Sequence, residues 1–121
     1  MSDMIAAEFV AESAERFGRL PPPPTVESIQ RAVARRERIA YAEMFSRRRS
    51  ARIAMARQIA MWLVRQTTLH SFPAIGRMFG GRDHTTAMHA VSKIDQMMVD
   101  SPEFHAEMMA LRLALTTGEP I

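Results

Sequence analysis

The sequence predicts an all-α protein, a small helical bundle containing a helix-turn-helix, with a short N-terminal helix on a proline linker. Three observations carry this. Apolar residues recur at i, i+3 or i+4, and i+7 in several windows, and no window alternates with the period of two that a half-buried strand requires. Helix-starting residues, Thr25 and Ser71, stand at the head of such windows. A very short helical stretch is separated from a longer one by Gly80-Gly81, the layout of a helix-turn-helix.

Residues 1–20 read as an amphipathic helix, with Met4, Ile5, Phe9, Ser13 and Phe17 near one face and Glu8, Glu12 and Glu15 elsewhere. They suit either a helix packed on the domain or a docking segment, through residues 4–17, for a protein partner or a second copy. Pro21 to Pro24 then impose a stiff, extended connector, because proline fixes φ and lacks a backbone donor. The expected organisation is therefore an N-terminal segment (1–20), a linker (21–24) and a helix-turn-helix domain (25–121).

Within that domain Thr25 is the expected N-cap, with Glu27 at the positive end of the helix dipole. Val26, Ile29, Ala32 and Val33 form the inward stripe of a helix running to about Ile39. Tyr41 to Phe45 suits one short turn, and Ser46 to Arg52, SRRRSAR, reads as a basic loop. A second long helix is expected over about Ala54 to Leu69, with Ile59, Trp62, Leu63 and Gln66 facing inward. Ser71 caps a helix of barely two turns, with Pro73 tolerated at its start and Gly80-Gly81 ending it. The next helix begins near Arg82 and turns Ala87, Val91, Ile94 and Met98 inward. A last helix spans about Pro102 to Leu115. The methionines on these runs, Met88, Met97, Met98, Met108 and Met109, read as core filler.

The 121 residues fit one domain with a short appendage, and a hydrophobic fraction of 47% suffices for a core. No apolar run approaches the ~18 residues of a membrane span. The N-terminus lacks the basic n-region of a secretory signal, and there are no cysteines, which suits the reducing cytosol. A cytoplasmic, nucleoid-associated protein is expected. His84 and His89 are five residues apart, on different helix faces, so neither a metal site nor a cofactor is expected.

Net charge is +3, but it is unevenly spread. Between Arg31 and Lys93 there are 13 basic residues against Glu37, Glu43 and Asp83, an excess of +10 (13 − 3). Fifteen of the 16 basic residues in the chain are arginine, whose planar fork suits phosphates and guanine edges. The polar block that opens the helix after Gly81 contains more hydrogen-bonding side chains than a cap needs. In a helix-turn-helix that first turn enters the major groove. Arg82, Asp83, His84, Thr85 and Thr86 then lie where base edges and phosphates are. Asp83 suits a cytosine amine, and a threonine methyl suits a thymine methyl. Arg47, Arg48 and Arg49 precede the motif closely enough to reach phosphates or a minor groove.

The stretches ARQIAMWL and LHSFPAIGRMFGGRDHTTAMHAVSKI resemble the C-terminal DNA-binding domain of the bacterial replication initiator DnaA family. The resemblance covers roughly Thr25 to Leu115, and GGRDHTT is its most specific block. It implies major-groove base contacts from Asp83, His84 and Thr85 and a minor-groove contact from Arg49. Phosphate contacts are implied for Arg57, Gln58, Arg65, Thr68, Phe72 (where a leucine is usual), Pro73, Thr86 and His89, to which the basic loop adds Arg48 and the polar block Arg82. Ala51 and Met55 stand where the family commonly has arginine, and Arg52 where a small polar residue is usual. The implied partner is double-stranded DNA at sites like the DnaA box, in replication initiation or its regulation. No G-x-x-x-x-G-K-[ST] loop occurs, so ATP-driven steps are not implied and no enzyme is expected. A transcription regulator, a less specific DNA binder and an adaptor with vestigial DNA contact are the alternatives.

Overall fold

The computed structural model describes residues 22–118. The expected N-terminal helix and the docking segment 4–17 lie outside the described residues. Five α-helices follow in order: α1 (Val26–Glu37), α2 (Ala51–Thr67), α3 (Phe72–Met78), α4 (His84–Asp100) and α5 (Pro102–Thr117), with a 3-10 turn at Tyr41–Met44. Among the described residues there are no strands, and the expected all-α class stands.

Each helix starts on a side-chain cap. Thr25 and Ser28 form a reciprocal capping box at α1; Ser50, Ser71, Asp83 and Ser101 accept amide bonds at the starts of α2 to α5. Several ends differ from expectation. Helix α1 stops at Glu37 because Arg38 adopts the left-handed conformation at φ 59° and the Ile39 amide returns to the Ala34 carbonyl, a Schellman-type finish. Helix α2 begins three residues before the expected Ala54, at Ala51, with the Ser50 hydroxyl capping the Ile53 amide; the basic loop shrinks to residues 46–50. Helix α4 begins at His84, two residues after Arg82, because Asp83 is its cap.

The core is one cluster built on α2. Ile29 and Val33 of α1, Ile59, Trp62 and Leu63 of α2, Ile75 of α3, Phe79 of the turn, Ile94 of α4 and Met108 of α5 are all buried in it. Small residues, Ala56 and Ala60 on α2 and Ala87 and Ala90 on α4, are buried between the larger side chains. Helices α2 and α4 share the most extensive contact, and the Trp62 indole N–H donates to Asp95 across it at 2.8 Å. The buried Gln30 amide donates to the Met78 carbonyl at 2.9 Å, so α1 also caps the end of α3. Arg31 sits over the Tyr41 ring and Phe45 meets that ring edge-on, which fixes the 3-10 turn against α1. The inward stripe of α4 is buried as expected, whereas Met88 and Met109 are exposed and are not core filler.

Candidate nucleic-acid interface

Helices α3 and α4 form a helix-turn-helix closed by glycine. The Arg82 amide donates to the Gly76 carbonyl at 2.9 Å, and Gly80 and Gly81 both take positive φ. Gly76 is buried against the turn so closely that a Cβ there would collide with the carbonyl oxygens of Arg82 and Asp83, the latter at 2.8 Å.

The turn delivers a polar first turn of α4 to solvent. Asp83, His84, Thr85 and Thr86 are all exposed, while Ala87 immediately after them is fully buried. Asp83 Oδ1 accepts from the Thr86 amide at 2.9 Å and from the Thr86 hydroxyl at 3.2 Å. These bonds, the amide first, hold the Asp83 carboxyl below the usual carboxylate range, aided by His84 alongside. The helix therefore starts on a fixed negative charge, with His84 and Thr85 facing outward beside it.

Two cationic grooves flank this turn and share Arg57, Arg82 and Thr86. One, of about 410 Å³, lies between the basic loop and the glycine turn and is lined also by Phe45, Arg47, Arg49, Gly80 and Gly81. The other, of about 300 Å³, runs between α2 and α4 past Gln58, Met61, His89 and Lys93. The structure thus brings together Arg49, Gln58, Arg82, Thr86 and His89 with the exposed turn. Lys93 was missed by sequence reasoning; its spacing of seven from Thr86 puts both on one helical face and is the signal that could have found it.

Arg65, in the last turn of α2, and Phe72, at the start of α3, sit further along. The Arg65 guanidinium stacks on the Phe72 ring at 4.0 Å and donates to the His70 carbonyl at 3.1 Å. Pro73 is exposed there, and having no N–H it can offer a phosphate only carbon contact. Arg48 is exposed, with its guanidinium 3.4 Å from Glu43.

Three residues expected at phosphates are engaged inside the chain. Arg57 is 6% exposed and donates to the carbonyls of Glu43, Ser46 and Arg48 and to the Ser46 hydroxyl, each at 2.8 Å, so four of its five N–H groups are spent inside the chain. Burial, and then the neighbouring Arg82, lower its pKa, opposed by Glu43. Arg82 is half-buried and donates to the carbonyls of Ser46, at 2.7 Å, and Phe79; burial first and Arg47 second lower its pKa. Thr68 is the C-cap of α2: its hydroxyl donates to the Val64 carbonyl at 2.6 Å, and its amide to the same carbonyl at 3.0 Å. Arg52 has a local task as well, donating twice to the Glu37 carbonyl at 3.0 and 2.7 Å and so capping the end of α1. Among the described residues no cluster of metal-ligating side chains occurs, and no helix is long and apolar enough to cross a membrane.

Residues 26–94, more than half of the chain, match the family described as the bacterial dnaA protein helix-turn-helix. The chain belongs to this family. The matched DnaA segment runs from the first residue of α1 to Ile94, so it contains the loop, α3, the turn and the first eleven residues of α4, and stops six residues before α4 ends. The chain is similar to the chromosomal replication initiator protein DnaA of Dechloromonas aromatica, 48% identical over 86 residues, covering 71% of this chain and 18% of that protein. It is 41% identical over 114 residues to the DnaA protein of Sphingopyxis alaskensis, covering 94% and 24% respectively. It is 46% identical over 91 residues to that of Bordetella pertussis, covering 75% and 19%. The chain thus spans about a fifth to a quarter of the length of these DnaA relatives.

Proposed function

We propose that the chain reads double-stranded DNA in a sequence-specific way, at sites like the DnaA box, and acts in replication initiation or its regulation. The observation that carries this is the first turn of α4. Four consecutive polar side chains, Asp83 to Thr86, are exposed at the tip of a glycine-closed helix-turn-helix, between two grooves lined by arginine and lysine. In the major groove Asp83 accepts from a cytosine amine, His84 bonds a base edge and the Thr85 methyl packs on a thymine methyl. Arg49 enters the adjacent minor groove, where the negative potential favours a guanidinium. Arg47, Arg48, Arg65, His89 and Lys93, the Gln58 amide and the Thr86 hydroxyl follow the phosphates on either side. Membership of the DnaA helix-turn-helix family supports this reading, and its relatives, chromosomal replication initiator proteins, supply the replication context.

The test is selection of duplexes by the purified chain from a random pool, followed by titration of the selected duplex and a scrambled one across a salt series. A reader of sequence prefers the selected duplex by ~10³-fold or more, and both affinities fall linearly on a log–log salt plot. Equal affinities for the two duplexes would make the chain a less specific DNA binder.

A further inference from the structure

The basic loop is held from both sides by its own backbone. From α2, Arg57 donates to the carbonyls of Glu43, Ser46 and Arg48, bracketing the segment that leads into Arg49. From the helix-turn-helix, Arg82 donates to the same Ser46 carbonyl and to Phe79 at the end of α3. One carbonyl oxygen is therefore shared by two guanidinium groups, one from each side. The backbones also touch: a Cβ on Gly80 would come within 2.5 Å of the Phe45 carbonyl oxygen. Glu43, 15% exposed, is the acidic group beside this cluster, and it faces Arg48 and Arg57.

We propose that Arg57 is a positioning residue, which locks the arm carrying Arg47 to Arg49 onto the glycine turn so that arm and recognition helix read DNA at one fixed separation. This rests on the DNA-reading function proposed above. A free arm would have to be ordered on the DNA at an entropic cost and would accept several separations between its contact and those of α4. A prebuilt arm accepts one. The fork of arginine is needed for this, since it reaches three carbonyls at once, whereas the single ammonium of lysine keeps the charge without that geometry.

The variant Arg57→Lys separates positioning from phosphate neutralisation. Two readouts are compared with the wild-type chain. The first uses no DNA: the rate at which trypsin cuts after Arg47, Arg48 and Arg49, sites the substitution leaves in place. Release of the loop speeds this cleavage ~10-fold or more while the circular dichroism of the helices is unchanged. The second uses duplexes with one base pair inserted between the positions whose preference Arg49→Ala erases and those that His84→Ala erases. The wild-type chain loses ~10-fold or more in affinity on the inserted duplex, as for a mismatched site, and Arg57→Lys binds the two spacings within ~2-fold. Unchanged cleavage, or an inserted-to-normal ratio equal to wild type with a uniform loss on every duplex, would overturn the proposal and return Arg57 to the phosphates. If Arg57→Lys does not fold, Arg82→Lys removes the tie from the opposite side and carries the same expectations. Should the wild-type chain not tell any duplex from another, the proposed function fails, and the cleavage rate alone still decides whether Arg57 holds the arm.

Discussion

The start of α4 and the basic loop are both polar, exposed and next to each other, yet they are built in opposite ways. The helix start is local. Asp83 bonds Thr86 three residues on, the glycines that aim it lie within eight residues, and its outward side chains are left free. The loop is held from a distance, by Arg57 and Arg82, whose bonds to it span between 9 and 36 residues of sequence. The difference shows that arginines beside a helix-turn-helix are not all free at its surface. Arg52, Arg57 and Arg82 spend their forks on backbone carbonyls, and this frees Arg47 and Arg49 to remain at the surface.

The largest expected effect removes the frame that both regions share. Gly76→Ala places a methyl against the Arg82 and Asp83 carbonyls, and neither backbone can yield without opening the turn. Alanine inside a helix ordinarily gains up to ~1 kcal/mol over glycine. Here overpacking outweighs that gain, and chemical denaturation should show a net loss of ~1–3 kcal/mol together with weaker binding to every duplex. A variant as stable as wild type would mean that α3 does not rest on the turn.

Next comes the reading turn itself. His84→Ala should cost ~1–3 kcal/mol on the selected duplex and far less on a scrambled one, while the slope of log affinity against log salt hardly changes. Equal losses on both duplexes would make His84 a phosphate contact. Arg49→Ala tests the loop in the same assay, with a smaller effect on discrimination. It should relax preference at one end of the site and lower the salt slope by about one unit, because a cation is removed along with a base contact. A preference profile that does not change would move the minor-groove role to Arg47 or Arg48.

The same contrast explains what could be read in the sequence. Helix stripes and caps depend on neighbours within one turn, so Ala87, Val91, Ile94 and Met98, and the caps Thr25 and Ser71, were legible and are found where expected. The exposed first turn of α4 was legible for the same reason. The start of α2 was not, because Ala51 and Arg52 are exposed and add nothing to an apolar period, while Ser50 is one serine in a run of serine and arginine. Arg57 lay beyond sequence reasoning altogether. A buried guanidinium that binds carbonyls on another segment has the same letter as one that meets a phosphate, and only the fold separates the two. Met88 erred in a simpler way: it directly follows Ala87 and so falls off the buried stripe that Ala87 begins.

A smaller effect is expected from the N-terminal segment. Helices α1 to α5 form a continuous buried core among residues 22–118, with the first cap at Thr25. Removal of residues 1–20 should change the unfolding free energy by no more than ~0.5 kcal/mol and leave both duplex affinities as they were. Loss of helical circular dichroism on truncation would place Phe9 and Phe17 in the core instead.

The smallest effect on stability separates the two tasks of Asp83. Asparagine caps a helix about as well as aspartate, so Asp83→Asn should hardly move the unfolding midpoint at neutral pH. Its signature lies in the acid range. The Asp83 carboxyl is held below its ordinary value in the folded chain, so its charge stabilises the fold fully above the unfolded value of ~3.9 and ceases to do so as pH falls through the lower folded one. The stability curves of the two proteins should therefore run parallel from neutral pH down to about that unfolded value and change separation only below it. DNA supplies the other half of the test. Both Thr86 bonds land on Oδ1 and Oδ2 takes neither, so the carboxylate has an oxygen to offer a cytosine amine. An asparagine amide instead matches the paired donor and acceptor of adenine. Asp83→Asn should thus shift preference from cytosine towards adenine at a single position and, with one negative charge fewer beside the phosphates, strengthen binding to the scrambled duplex. If the profile stays the same while the acid-range curves separate, Asp83 caps the helix and does not read a base.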